Sequence, residues 1–286
     1  MRSEDAETAS RLSEPQIRAY QAHGHHWPVD VVNEAEAATL RAKLEAHEAE
    51  HGPLKEVKPH LLLTWLDDLV RNERLLDALE SILGPDILCW GSSFFVKEAR
   101  SPEFVTWHQD GEYIGLTPHE MVTAWIALTP SNASNGAMRV VPGTHLHRFT
   151  HRETFAPDNL LSRGQEITVD IDEKHAVMME LRAGQCSLHN TLLVHGSDPN
   201  PSDDRRIGIA VRYIPTHVRQ VADVEDSALL VRGKDRHGHF EHERSPTGDF
   251  TPEVRAYHRT LAQRNKQVVF SDKVEKAEDS ATGRWN

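Results

Sequence analysis

A chain of 286 residues is long for one average domain and short for two, but an all-β barrel fills that range as a single unit. With 38% hydrophobic and 27% charged residues it has the composition of a globular protein with a sizeable core, which excludes disorder of the whole chain. A formal net charge of -12 argues against a surface for nucleic acid or an anionic membrane, because phosphate binding needs concentrated Lys and Arg. The expected partner is a small molecule.

The N-terminal MRSEDAETAS is polar and acidic, and no run approaches the ~18 apolar residues of a membrane span. The sequence therefore reads as cytoplasmic, with no membrane partner. Cys89 and Cys186 sit in apolar, strand-like stretches and read as reduced, buried thiols.

The first third reads as helical. Ser13 can cap a helix carrying Pro15 in its first turn and stopping at Gly24, and Asn33 a second, Ala- and Glu-rich helix reaching about Gly52. Asn72 opens a third, with Leu75, Leu76, Leu79, Ile82 and Leu83 on one face and Gly84-Pro85 as its stop. His23, His25 and His26 read as cations following a helix end.

From Ile87 the pattern changes to short segments rich in β-branched and aromatic residues: ILCWGSSFFVK, TWHQD, VTAWIALTP, MRVVPGTH, CSLHNTLLVHGS and RRIGIAVRYI. These predict an antiparallel barrel or double sheet. Residues 144–182 form a long polar excursion of the kind that covers a site. Residues 233–250 predict a mobile loop, 253–266 a last helix, and the final ~15 residues a frayed end. The expected organisation is one domain over 1–286: a helical scaffold (1–86), a barrel core (87–215), and a C-terminal loop and helix (216–286).

One constellation carries chemistry. In WHQDGEY, His108 and Asp110 are two apart in an extended stretch, which would place both side chains on one strand face. An imidazole and a carboxylate suit Fe(II), and a second imidazole would complete a triad that leaves positions open for cosubstrate and O2. His189 and His195 are both candidates; His195 is preferred because Gly196-Ser197 follow it and Arg206 opens an apolar strand 11 residues on. A dicarboxylate that chelated the metal through a keto-acid end would need a buried cation for its distal carboxylate, and guanidinium supplies two parallel hydrogen bonds. Arg205 precedes Arg206, so a one-residue slip would exchange them; the spacing from His195 favours Arg206.

The ordered set HQD, AWIAL, NG with VVPGTH, VHGSDPN and RRIGIAVRY resembles the phytanoyl-CoA dioxygenase family of Fe(II)/2-oxoglutarate oxygenases over about residues 87–215. The resemblance implies a double-stranded β-helix, the jelly-roll architecture of cupins, mainly β with flanking helices. It implies His108, Asp110 and His195 as iron ligands, Arg206 as the 2-oxoglutarate anchor, and Trp125 and Ser197 in the cosubstrate pocket. Related halogenases replace the triad carboxylate with a small residue; Asp110 is present here, so a hydroxylase is expected.

Other histidine groups read as bland. His237, His239 and His242 lie in a polar loop without Cys, and His119-Glu120 continues as Met121-Val122-Thr123, not as a zinc HExxH motif. Two further classes compete with the oxygenase: a cupin-like isomerase or hydrolase using the triad with Zn(II) or Mn(II), and a catalytically idle jelly roll. Arg206 and the intact triad speak for the oxygenase, acting on a small polar metabolite or natural-product intermediate. If Arg206 faces inward, alternation puts Gly208, Ala210 and Arg212 on the same face, leaving an open pocket with a charge at one end. Arg212 would then meet a protein carboxylate or an anionic substrate group, with Tyr113 at the pocket mouth.

Overall fold

The computed structural model describes residues 10–161 and 164–269. The frayed tail expected from the sequence lies outside them. In chain order the elements are helix α1 (Glu14–His23), strand β1 (His25–Asp30), and helices α2 (Glu34–His51), α3 (Thr64–Val70) and α4 (Glu73–Leu83). There follow β2 (Ile87–Lys97), β3 (Val105–His108), the single-turn α5 (Gly111–Ile114), β4 (Leu116–Thr117), β5 (Val122–Ala127) and β6 (Met138–Val140). Then come β7 (His151–Glu153), β8 (Gln165–Ile167), β9 (Val177–Met178), β10 (Gln185–Asn190), β11 (His195–Ser197) and β12 (Arg206–Pro215). The chain closes with β13 (Arg219–Gln220), β14 (Ser227–Arg232), β15 (Glu241–His242) and α6 (Pro252–Val269).

Local chemistry sets the helix ends. Asn33 Oδ1 accepts from Glu36 N at 2.9 Å while Glu36 Oε2 accepts from Asn33 N at 2.8 Å, a reciprocal cap that starts α2. Asn72 Oδ1 accepts from Leu75 N at the start of α4. Gly24, at φ 79°, ends α1 in a left-handed turn that only glycine adopts without strain. The chain then enters β1, so His25 and His26 are strand residues and do not trail off a helix.

The strands form a jelly roll of two principal sheets. The larger has the order β1-β10-β5-β12-β2-β14-β15, antiparallel except for β14 and β15, and the smaller the order β3-β11-β6-β9. The large sheet thus takes strands from all three segments of the chain. Alternation sorts its residues. Ile207, Ile209, Val211 and Tyr213 of β12 face outward and pack with Leu66, Leu69, Val70, Leu75 and Leu79 of α3 and α4; Tyr213 Oη donates to Val70 O at 2.9 Å. Trp125 and Ala210 face inward, toward Met138 and Val140 of the smaller sheet. Cys89 and Cys186 are buried free thiols.

Two stretches depart from expectation. The excursion over 144–182 carries strands β7, β8 and β9, with single helical turns at Thr144–Leu146 and Glu173–His175. The loop over 233–250, expected to be mobile, is pinned: the fully buried Glu243 carboxylate pairs with Lys58 Nζ at 2.5 Å and lies 3.3 Å from His60 Nε2. Lys58 Nζ also donates to Ser227 O at 2.7 Å. Burial alone would raise the Glu243 pKa, but the Lys58 charge and the His60 contact bring it down to about 2.

Removing one partner of a buried pair strands the other, so Glu243→Ala should cost about 3–5 kcal/mol in urea unfolding at pH 7. Because the folded pKa lies below the unfolded one, this stability is present above about pH 4.3 and is lost as pH falls through about 2. The variant should show a correspondingly shallower acid dependence, and an unchanged one would refute the pairing.

Candidate metal centre

Strands β3 and β11 pair with His108 opposite His195, bringing the two rings to 4.1 Å between centroids. Asp110 is not on a shared strand face. β3 ends at His108, and Asp110, at φ -60° and ψ -40°, already begins the turn into α5. The buried Gln109 between them fixes that turn: its Nε2 donates to His147 O and Leu192 O, and its Oε1 accepts from Phe149 N. The turn brings Asp110 Oδ1 to 3.3 Å from His108 Nε2, and one ligand atom from each of His108, Asp110 and His195 lies within 4.8 Å of the others.

The surroundings prepare these atoms for a cation. His108 Nδ1 faces Thr106 O and His195 Nδ1 faces Leu193 O, each at 2.9 Å, so each Nδ1–H donates to a carbonyl and leaves Nε2 with its lone pair. Burial drives the His195 pKa well below the usual imidazole range, keeping the ring neutral. Burial alone would raise Asp110, yet the contact with His108 and the nearby His195 and Arg212 hold it well below the usual carboxylate range. Two imidazoles and one carboxylate are the donor set of a 2-His-1-carboxylate site, and these residues fit Fe(II). Thr123 Oγ1 donates to Asp110 Oδ2 at 3.3 Å, orienting the carboxylate.

The cavity beside this cluster continues to Arg206, Trp125 and Ser197. Arg206 is 2% exposed, its Nη1 donates to Gly136 O, and its Nε has no hydrogen-bond partner among the described residues. Burial lowers its pKa to about 10. Arg205 turns outward to Glu45, Glu48 and Glu98. The Trp125 ring lies 5.1 Å from the Arg206 guanidinium carbon. It also fills the space beside Gly208, where a Cβ would fall 1.9 Å from the indole, so the small residues of β12 do not leave the open pocket expected there.

Lys97 was missed in the sequence. It ends β2 directly opposite Arg206, is completely buried, and its Nζ donates to Ser197 Oγ at 2.7 Å and to Asp198 O. Burial, reinforced by the Arg206 charge, lowers its pKa to about 6. The terminal Lys of an apolar strand pattern was the available signal, but only the β2–β12 register makes it a site residue.

His189 lies in the same cavity, its ring 4.6 Å from that of His195, with neither nitrogen hydrogen-bonded among the described residues; burial lowers its pKa to about 4. Arg212 is half-buried, and its Nη1 donates to Ser93 Oγ at 3.3 Å. The Tyr113 side chain lies outside the described residues.

A lysine pKa of about 6 in the folded protein against ~10.4 unfolded costs stability at low pH, and the cost disappears as pH rises between those values. Lys97→Met should therefore melt higher than wild type at pH 7, with the gap closing toward pH 10. A gap independent of pH would show that Lys97 is not the titrating group.

A family model described as Phytanoyl-CoA dioxygenase (PhyH) matches residues 10–208. A probable alpha-ketoglutarate-dependent hypophosphite dioxygenase of Stutzerimonas stutzeri is 32% identical over 158 residues, covering 54% of this chain and 54% of that protein. The peroxisomal phytanoyl-CoA dioxygenase of Bos taurus is 26% identical over 162 residues, 54% of this chain and 47% of its own. The chain thus spans about half the length of these curated relatives. The solved structure of a non-heme monooxygenase, ThoJ, superposes with a TM-score of 0.80 at 37% identity, covering 89% of this chain and 97% of that one.

Proposed function

Because this chain belongs to the phytanoyl-CoA dioxygenase family, we propose that it is an Fe(II)- and 2-oxoglutarate-dependent oxygenase that hydroxylates a small polar metabolite or natural-product intermediate. The observation that carries this reading is the His108, Asp110 and His195 cluster sharing one cavity with the buried Arg206 guanidinium, whose Nε has no hydrogen-bond partner among the described residues. A cupin-like isomerase or hydrolase would have no use for that second feature.

His108, Asp110 and His195 would hold the metal. Bound Fe(II) with 2-oxoglutarate and O2 supplies the oxidising chemistry, in which one oxygen atom enters the substrate and the other leaves in succinate, with loss of CO2. Arg206 would bind the distal carboxylate of 2-oxoglutarate with its guanidinium fork, and Lys97 would share the same charge. Trp125 packs against that guanidinium and Ser197 accepts from Lys97, and both line the cavity beside Arg206, where they would contact the cosubstrate. With Asp110 as third ligand, hydroxylation and not halogenation is the reading. A cytoplasmic location is supported by the two free thiols and by the absence, among the described residues, of any helix long and apolar enough to cross a membrane.

Anaerobic titration with Fe(II) should show one tight site in wild type. It should be lost in His108→Ala, Asp110→Ala and His195→Ala and kept in His189→Ala; retention by His195→Ala with loss in His189→Ala would move the third ligand. Arg206→Lys should raise the Kd for 2-oxoglutarate about ten- to a hundred-fold, the worth of a charge-assisted hydrogen bond of roughly 1.5–3 kcal/mol. Arg205→Lys should leave it near wild type, and the reverse ranking would place the anchor on Arg205.

A further inference from the structure

The large sheet carries a second polar row on its inner face, away from Lys97 and Arg206. Pairing aligns His189 of β10 with Thr123 of β5, Thr123 with Arg212 of β12, and Arg212 with Gly91 of β2. Thr123 is occupied with Asp110, but its neighbours on either side are not satisfied. His189 is 1% exposed with both nitrogens unpartnered, and Arg212 makes one hydrogen bond, to Ser93 Oγ, with no carboxylate within 4.0 Å among the described residues. Gly91 leaves open space beside the guanidinium, since a Cβ there would meet nothing within 4 Å.

This row stands where two cavities join. Arg212, His108 and Asp110 line both the small metal cavity and a larger one of about 640 Å³. The inward-facing Phe95 also lines both, and Ile114 and Leu160 continue the apolar wall of the larger cavity. Its other charged groups are largely spoken for: Lys58 pairs with Glu243, Glu48 and Glu98 pair with Arg205, and Glu103 accepts from Ser101 Oγ. Lys55 also lines it but is exposed at the rim. Arg212 feels the Asp110 charge, but that carboxylate belongs to the metal cluster, so a half-buried guanidinium where the two cavities join is costly to desolvate unless the occupant brings the counter-charge.

We propose that the primary substrate is an amphipathic carboxylic acid whose carboxylate is seated on Arg212, with His189 as a second donor, and whose apolar body lies along Phe95 and Leu160 in the larger cavity. The inference rests on the oxygenase reading, and it gives β12 two anion seats six residues apart, about 20 Å along the strand, both lining the cavity of the His108, Asp110 and His195 cluster. Arg206 takes the cosubstrate and Arg212 the substrate. The seat fixes which carbon faces the metal, so Arg212 and His189 are positioning residues.

The test is calorimetry on protein loaded anaerobically with Fe(II) and saturating 2-oxoglutarate, which fills the Arg206 seat and prevents turnover. The probes are two matched pairs, 4-phenylbutanoate against 4-phenylbutanamide and hexanoate against hexanamide. Each acid should bind at least tenfold more tightly than its amide, and Arg212→Gln should erase that difference. Gly91→Val, which narrows the space without touching the charge, should weaken 4-phenylbutanoate more than hexanoate. Equal binding of acid and amide, no binding of either acid, or an undiminished preference in Arg212→Gln overturns the proposal. Failure of 2-oxoglutarate to bind in the preceding loading step would instead count against the oxygenase reading.

Discussion

Lys97 and Arg206 stand opposite one another across the β2–β12 pair, both out of contact with water, and no carboxylate among the described residues pairs with either. Burial lowers both pKa values, and for the lysine the Arg206 charge adds to it, so that it sits near 6. The pair is tolerated because the surroundings supply oriented dipoles: Gly136 O for Arg206, Ser197 Oγ and Asp198 O for Lys97, and the Trp125 face over the guanidinium. What these dipoles do not supply is a negative charge. An anion brought against Arg206 would supply it, and the strand register that opposes Lys97 to Arg206 is what leaves that end of the barrel short of negative charge.

The helices were legible because their signals are local. Ser13, Asn33 and Asn72 each stand one residue before a helix, and Gly24, Gly52 and Gly84 each end one, so α1, α2 and α4 could be drawn from caps and stops alone. β1 and α3 were not legible. HHWPVD contains three histidines or acids and a proline, and becomes a strand only because β10 offers it an edge. TWLDDLV, only 7 residues long, is held by Leu66, Leu69 and Val70 in the core beneath the sheet. Pinning of the 233–250 loop was hidden for the same reason, since Glu243 looks like one more acidic loop residue until Lys58 arrives from far away in sequence.

The site divides along a similar line. Residue types and spacing pointed to His108, Asp110 and His195, and these three do converge, but the physical reason given for the first two was wrong. A strand would have sent them to one face with Gln109 opposite; the chain instead bends at Gln109, whose buried amide holds three backbone groups. The one-residue ambiguity between Arg205 and Arg206 is resolved by alternation, which sends Arg206 inward and gives Arg205 to three surface glutamates. Lys97 was invisible because nothing in a single strand names its partner across the sheet.

Gly208 shows how one strand can serve both a dense core and a hollow site. On its outer face β12 carries Ile207, Ile209, Val211 and Tyr213, all fully buried against helices, which makes its position rigid. On its inner face the residue between the two arginines nearest Arg206 is a glycine, and the Trp125 indole lies where a side chain would be. A larger residue there would push the indole off the guanidinium or into the metal cavity, so the glycine is needed for the ring and not for empty space. Further along, Gly91 lies opposite Arg212 with nothing beside it. The same residue type therefore closes the Arg206 end of the barrel and opens the end that faces the larger cavity, and the difference lies in which neighbour across the sheet has a side chain long enough to reach over.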